Sequence, residues 1–225
     1  MGEYGTPNID IEEGWIEINH NGRKDTFLFP RKASTLYHTT KVLDTDLLWF
    51  YVRTSGLRVT DLMQGPVYGL FTQETRMDHR LLPSLYYDDI FGTLVNRFLV
   101  QAVNGTPLTV YGKGGQTRGY LNLIDTLKCI ELAAGAPPKP GDLKIFNQIT
   151  ETFNVKEIAM KVVDAAKSIG LNVDVQSIEN PRKESEEHYY NPTYSGLKSL
   201  GLKPHLMNED VLVELLKLII SSKDK

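Results

Sequence analysis

The chain has 225 residues, 41% of them hydrophobic and 24% charged, which is the make-up of a soluble globular protein with room for one large domain. Its 25 basic and 28 acidic side chains leave a net charge of −3, so there is no broad basic surface for a nucleic acid, although a few local arginines suffice for a small anion. The single cysteine, Cys129, excludes an intramolecular disulfide, and its apolar surroundings predict a buried structural thiol in a helix.

The opening, with Gly2, Gly5 and Pro7, is a turn-rich loop without the basic-then-apolar pattern of an export signal. Trp15–Ile18 and Thr26–Phe29 flank Asn21-Gly22 and predict a β-hairpin. Ser34 opens a helix to about Thr54, with Leu36, Leu43, Leu47, Phe50 and Tyr51 near helical spacing and Gly56 as its stop. Leu57–Met63 reads as a buried strand ending in the turn Gln64-Gly65-Pro66. Residues 72–89 are polar and read as an irregular surface loop. A helix is predicted over Thr93–Val103, a strand over Leu108–Tyr111, a Gly-rich loop over Gly112–Gln116 and a strand over Tyr120–Leu123. Asp125 caps a helix to about Ala134, followed by the Pro-rich linker 135–141. Leu143–Asn147 and Val173–Ile178 read as strands on either side of a helix over Val155–Ser168 that stops at Gly170. Two closing helices are expected near Thr193–Leu200 and Glu209–Ser221. The apolar run Val211–Ile220 is broken by Glu214 and Lys217 and is too short to span a bilayer, so a cytoplasmic protein with no membrane partner is expected. The alternation of strand and helix predicts an α/β fold.

Tyr37-His38-Thr39-Thr40-Lys41 is a Tyr-x-x-x-Lys motif. On a helix, residues four apart share a face, so the Lys41 ammonium can sit beside the Tyr37 phenol. A nearby cation favours phenolate, which can take a proton from a sugar hydroxyl while hydride leaves its carbon. The spacing alone also arises by chance, as a partly buried tyrosine with a solvated lysine. A second block runs from Gly105 to Tyr120 and contains Val110-Tyr111-Gly112 and Gln116-Thr117-Arg118. It is no Walker A loop, because no Gly-Lys-Ser/Thr follows, and Thr117 stands where Gly-x-Gly-x-x-Gly needs its third glycine. Its aromatic and strand edge suit a flat base, and the Arg118 guanidinium suits paired bonds to phosphate oxygens. In the charged segment 180–191, Lys183–Glu186 read as a solvated face and Arg182 as a ligand-binding residue.

Together these blocks resemble the extended short-chain dehydrogenases of the NAD-dependent epimerase/dehydratase family. The turn after the tyrosine helix, Gln64-Gly65-Pro66-Val67-Tyr68-Gly69, and Leu200-Gly201-Leu202-Lys203-Pro204 fit the same pattern. The opening 1–14, His38 directly after Tyr37, and the run from Arg182 to Glu186-Glu187-His188-Tyr189-Tyr190-Asn191 resemble its UDP-sulfoquinovose synthase branch. The resemblance implies the C-terminal part of an extended short-chain dehydrogenase Rossmann fold plus a small α/β nucleotide-sugar-binding domain. Residues 1–70 and about 119–150 would belong to the first, and 71–118 and 151–225 mainly to the second.

The resemblance also implies NAD as cofactor, UDP-glucose and sulfite as substrates, no metal, and a homodimer. The implied chemistry is oxidation at C4 to a ketone, loss of water across C5–C6, addition of sulfite at C6 and return of hydride to C4. Tyr37, Lys41 and His38 would be catalytic, although His38 reads equally as a hydrogen-bonded helix residue. Tyr37, Lys41, Gln64 and Val67 would meet the cofactor, and Gln64, Thr93, Arg97, Val110, Tyr111, Gln116, Arg118 and Arg182 the UDP-sugar. Arg97 alone reads equally as a surface helix residue.

The family's Gly-rich cofactor loop and catalytic threonine do not occur among the 225 residues. Met1 is therefore expected to be an internal methionine or a gene boundary, and the chain alone to be inactive. The strand at 57–63 is expected to lack a neighbour and to leave apolar surface that drives aggregation or dimerisation. Two alternatives stay open. One is a nucleotide-sugar 4-epimerase or 4,6-dehydratase, for which Glu3 offers only half of the acidic pair. The other is a non-catalytic UDP-sugar-binding protein on a truncated dehydrogenase scaffold.

Overall fold

The computed structural model describes residues 12–29, 31, 33, 35–88, 91–179 and 189–223. Its first elements are β1 (Trp15–His20), β2 (Arg23–Leu28), α1 (Leu36–Ser55), β3 (Val59–Gln64), β4 (Val67–Tyr68), α2 (Gln73–Met77), α3 (Leu94–Asn104) and β5 (Leu108–Tyr111). They are followed by β6 (Thr117–Asn122), α4 (Leu123–Gly135), β7 (Leu143–Gln148), β8 (Glu151–Asn154), α5 (Val155–Ser168), β9 (Val175–Ile178), α6 (Gly196–Ser199) and α7 (Glu209–Ser222). The contacts divide them into two compact units, one of residues 1–65, 125–150 and 188–203, the other of 66–124, 151–187 and 204–225.

In the first unit β1 and β2 pair antiparallel across Asn21 and Gly22, whose φ values of 51° and 75° make the two-residue turn that matches strand twist. Thr35, not Ser34, caps α1. Its backbone is extended and its hydroxyl accepts from the His38 amide, while Ser34 lies outside the described residues. Gly56, at φ 66°, closes the helix in the left-handed conformation a side chain disfavours. Trp49 of α1 meets Trp15 of the hairpin edge-on at 5.1 Å, and Val52, Met63, Leu143 and Ile145 form the core beneath them. Leu43, Leu47, Phe50 and Tyr51 of the same helix remain 45–59% exposed.

The expectation that the strand after α1 lacks a neighbour is corrected. β3 pairs in parallel with β7, from Val59↔Leu143 to Gln64↔Gln148. The chain between them includes α4, the long crossover that a parallel pair requires. α4 begins at Leu123 rather than at a capping Asp125, which is instead buried inside its first turn. Cys129 packs with Leu197 and Leu202, bringing the last part of the unit against this helix. The helix expected over 193–200 is a single turn, Gly196–Ser199. It is held by Glu13, whose carboxylate accepts from the Gly196 amide at 3.2 Å and whose pKa is raised by burial.

In the second unit α3, α5 and α7 share a core that includes Val95, Phe98, Leu99, Ile158, Val162, Leu212 and Leu215. β6 joins β4 in parallel and β8 antiparallel, and β5 pairs in parallel with β9. Buried Tyr68 donates to Glu151 Oε1 at 2.5 Å and lies 2.9 Å from the His205 carbonyl, while Glu151 also accepts from the Met207 amide at 2.8 Å. This network fixes the segment before α7 on the sheet. Residues 72–89 are not wholly irregular. A reciprocal capping pair, Thr72 and Thr75, opens α2, and Asp78 caps a 3-10 turn over His79–Leu81. β6 begins at Thr117, three residues before the expected strand, because Thr117–Tyr120 pair with β8, a strand the sequence reading did not include.

Candidate functional site

In the first unit Tyr37, His38 and Lys41 lie on the opening turns of α1. Tyr37 is 65% exposed, so a ligand can reach its phenol. Lys41 Nζ lies 5.9 Å from the Tyr37 ring centroid and pairs with Asp44 Oδ2 at 2.9 Å. The helix thus brings cation and phenol together, as the spacing predicted, and adds an acidic partner that competes for the cation. His38 meets the Tyr37 ring edge-on at 5.2 Å, and its Nδ1 is 2.6 Å from the capping Thr35 hydroxyl.

Gln64 is exposed at the carboxyl end of β3. Its Nε2 donates to Gln148 Oε1 at 3.4 Å, and Gln148 Nε2 donates to the Thr126 carbonyl at 3.1 Å. Gln148 went unremarked in the sequence. Its signal is a glutamine at the end of each strand, and that signal becomes meaningful only once β3 and β7 are known to pair. Val67, half-buried on β4, belongs to the second unit.

The second unit also holds Thr93, Arg97, Val110, Tyr111, Gln116 and Arg118. The Thr93 hydroxyl caps α3 by accepting from the Asn96 amide at 3.3 Å. One turn on, the Arg97 guanidinium stacks 4.3 Å from the Tyr111 ring centroid and donates to the Thr109 carbonyl at 2.9 Å. It therefore holds the Tyr111 ring on β5 rather than standing free on the helix surface. The Val110 side chain is fully buried in the core, and its backbone pairs with Ser177 of β9. Beyond Tyr111 the loop turns at Gly114, φ 69°, where a Cβ would come within 2.6 Å of Val110 Cγ1 and 2.9 Å of Lys156 Cγ. The loop ends at Gln116, only 4% exposed, with neither end of its side-chain amide hydrogen-bonded to protein. A buried amide without partners is costly, and a polar ligand or ordered water would relieve it. Arg118 is on β6, its Nη1 donating to the Thr117 carbonyl at 2.9 Å. Arg182, the remaining predicted residue of this group, lies outside the described residues, as does Glu3.

No family model matches the chain. Among curated proteins it is 52% identical over 225 residues to the chloroplastic UDP-sulfoquinovose synthase of Spinacia oleracea, covering 100% of this chain and 47% of that protein. It is 49% identical over 215 residues to the UDP-sulfoquinovose synthase of Sulfolobus acidocaldarius, covering 95% of this chain and 54% of that one. The chain is thus similar to two UDP-sulfoquinovose synthases. It matches their C-terminal portion and spans about half the length of these relatives.

Two solved structures share the fold. A UDP-N-acetylglucosamine 4-epimerase from Methanobrevibacter ruminantium, in complex with UDP-N-acetylmuramic acid, has a TM-score of 0.67 at 17% identity, over 95% of this chain and 63% of that one. The UDP-glucose 4-epimerase of Thermus thermophilus, in complex with NAD, has a TM-score of 0.62 at 21% identity, over 92% and 62%. The chain thus shares the mixed α/β fold of part of these two epimerases. Among the described residues no helix is long and apolar enough to cross a membrane.

Proposed function

We propose that this chain supplies the proton-transfer pair and the UDP-sugar-binding residues of a UDP-sulfoquinovose synthase. Such an enzyme converts UDP-glucose and sulfite to UDP-sulfoquinovose through a 4-keto-5,6-ene sugar. The reading is carried by the match, at 52% and 49% identity over 100% and 95% of the chain, to two proteins of that name.

The donor set suits NAD, since the Tyr37 phenol and Lys41 ammonium, exposed one turn apart, are complementary to ribose hydroxyls, and the Gln64 amide adds a polar contact. When bound, NAD supplies the hydride acceptor for the sugar. The Lys41 ammonium favours the Tyr37 phenolate, which takes the proton of the C4 hydroxyl and becomes the phenol. His38, beside the Tyr37 ring, assists proton transfer near C6 or binds sulfite. In the second unit Arg118 binds the diphosphate. Tyr111, steadied by Arg97, and the backbone of Val110 hold the uracil. The unpartnered Gln116 amide fits a polar ligand there, and Thr93 contributes its hydroxyl. Arg182 is the proposed second phosphate ligand. A homodimer in the cytoplasm completes the reading, whereas the spinach relative is by name chloroplastic.

Mass spectrometry of protein incubated with UDP-glucose and NAD, with and without sulfite, tests it. In a protein that also carries the family's Gly-rich cofactor loop and threonine, UDP-sulfoquinovose is expected with sulfite only, and none from a Tyr37→Phe variant, whereas the 225 residues alone are expected to give no product. A 4-epimer or a 6-deoxy-4-keto sugar formed regardless of sulfite would instead identify an epimerase or a dehydratase. Tight binding of UDP-glucose without any product, also when NAD binds, would favour a non-catalytic binding protein.

A further inference from the structure

Gln64 and Gln148 are the last register pair of the parallel strands β3 and β7. In open α/β sheets ligands gather at the carboxyl ends of such strands. Gln148 is only 1% exposed, so the polar atoms of its amide need partners inside the protein. A peptide carbonyl only accepts, so the end of Gln148 that meets the Thr126 carbonyl at 3.1 Å is the NH2 end. The same side chain is hydrogen-bonded to the buried Cys129 thiol. Its other end, Oε1, accepts from Gln64 Nε2 at 3.4 Å. A side-chain amide has one donor end and one acceptor end. With Nε2 of Gln64 committed inward, its Oε1 is left for whatever approaches the exposed end of the strand.

We propose that Gln148 is a positioning residue that fixes which way the Gln64 amide is flipped. Anchored by Thr126 and Cys129, it makes this edge of the site an acceptor, suited to a ligand hydroxyl or amide N–H and unsuited to a carbonyl or phosphate oxygen. Without Gln148, Gln64 populates both flips and a ligand must select one, which weakens binding. The inference rests on the UDP-sulfoquinovose synthase reading only for the identity of that ligand.

Nuclear magnetic resonance of the 15N-labelled chain tests the orientation without any activity. In the wild type the Gln64 side-chain NH2 is expected to be as rigid as the β3 backbone and slow to exchange with water. In Gln148→Met it becomes as mobile as a solvent glutamine, while the β3 and β7 backbone signals stay in place. Calorimetry with UDP-glucose and with NAD as separate probes then reads the consequence. For the probe that meets Gln64, Gln148→Met weakens binding about fivefold, and adds nothing when Gln64 is already Met. A Gln64 NH2 already mobile in the wild type would overturn the proposal even if the variant failed to fold. So would an equal loss from Gln148→Met in both backgrounds. If neither probe binds, the enzyme assignment fails, and the spectrum of the wild type still decides the role of Gln148.

Discussion

Burial keeps the thiol of Cys129 protonated far above the pH at which a free cysteine ionises, with its pKa pushed up to about 11. About one folded molecule in a thousand then carries a thiolate at pH 8, so iodoacetamide should leave the native chain unmodified and label it only after denaturation. Mass spectrometry of both states checks this. The sign of the linkage follows. The unfolded thiol loses its proton first, so stability falls as pH rises from the ordinary value of 9.0 toward about 11. Residues of this scale were unevenly legible in the sequence. Tyr37 and Lys41 were readable as neighbours because helix periodicity alone brings residues four apart together. The Asp44 that pairs with Lys41 was open to the same logic, being three residues further on. Gln148 was not legible, because its partnership with Gln64 spans 84 positions and exists only through strand register. The packing of Arg97 over Tyr111 was hidden because it depends on how α3 folds back on β5.

Most helices and strands of the molecule announce themselves by their punctuation. Asn21-Gly22 gave the hairpin, and Gly56 gave the end of α1. Elements were missed where the signal is not local. α2 is five residues long and opens on a Thr–Thr capping pair instead of the usual Glu or Gln partner. β8 is four half-buried residues that become a strand because β6 lies beside them. Two substitutions test the caps and turns. Thr35→Ala removes the hydroxyl that caps α1 and contacts His38, and should lower stability by about 1 kcal/mol in urea unfolding. Gly114→Ala combines a left-handed φ of 69° with crowding against Val110 and Lys156. It should cost more than about 1 kcal/mol, and should also disturb the backbone signals of Gly112–Gln116.

The two units differ in how completely they cover their apolar residues. Among the described residues the second encloses a core of nineteen buried residues, whereas the two clusters of the first contain four and three. The exposed Leu43, Leu47, Phe50 and Tyr51 of α1 belong to the first unit. Contiguous exposed apolar side chains favour association. Sedimentation equilibrium should therefore give an apparent mass that rises with protein concentration, and Leu47→Glu with Phe50→Glu should return it to 25.4 kDa. The fold class was legible from the alternation of elements and from the resemblance, while the two-unit division depends on which distant segments pack together. The central claim, that this chain holds a UDP-sugar through Arg118 and Gln116, is tested most directly by isothermal titration of the purified chain with UDP-glucose. Saturable binding is expected, weakened at least about tenfold in Arg118→Ala, the loss expected for a charge-assisted bond to phosphate, and measurably in Gln116→Leu. Absence of binding, or equal affinity in wild type and Arg118→Ala, would contradict it.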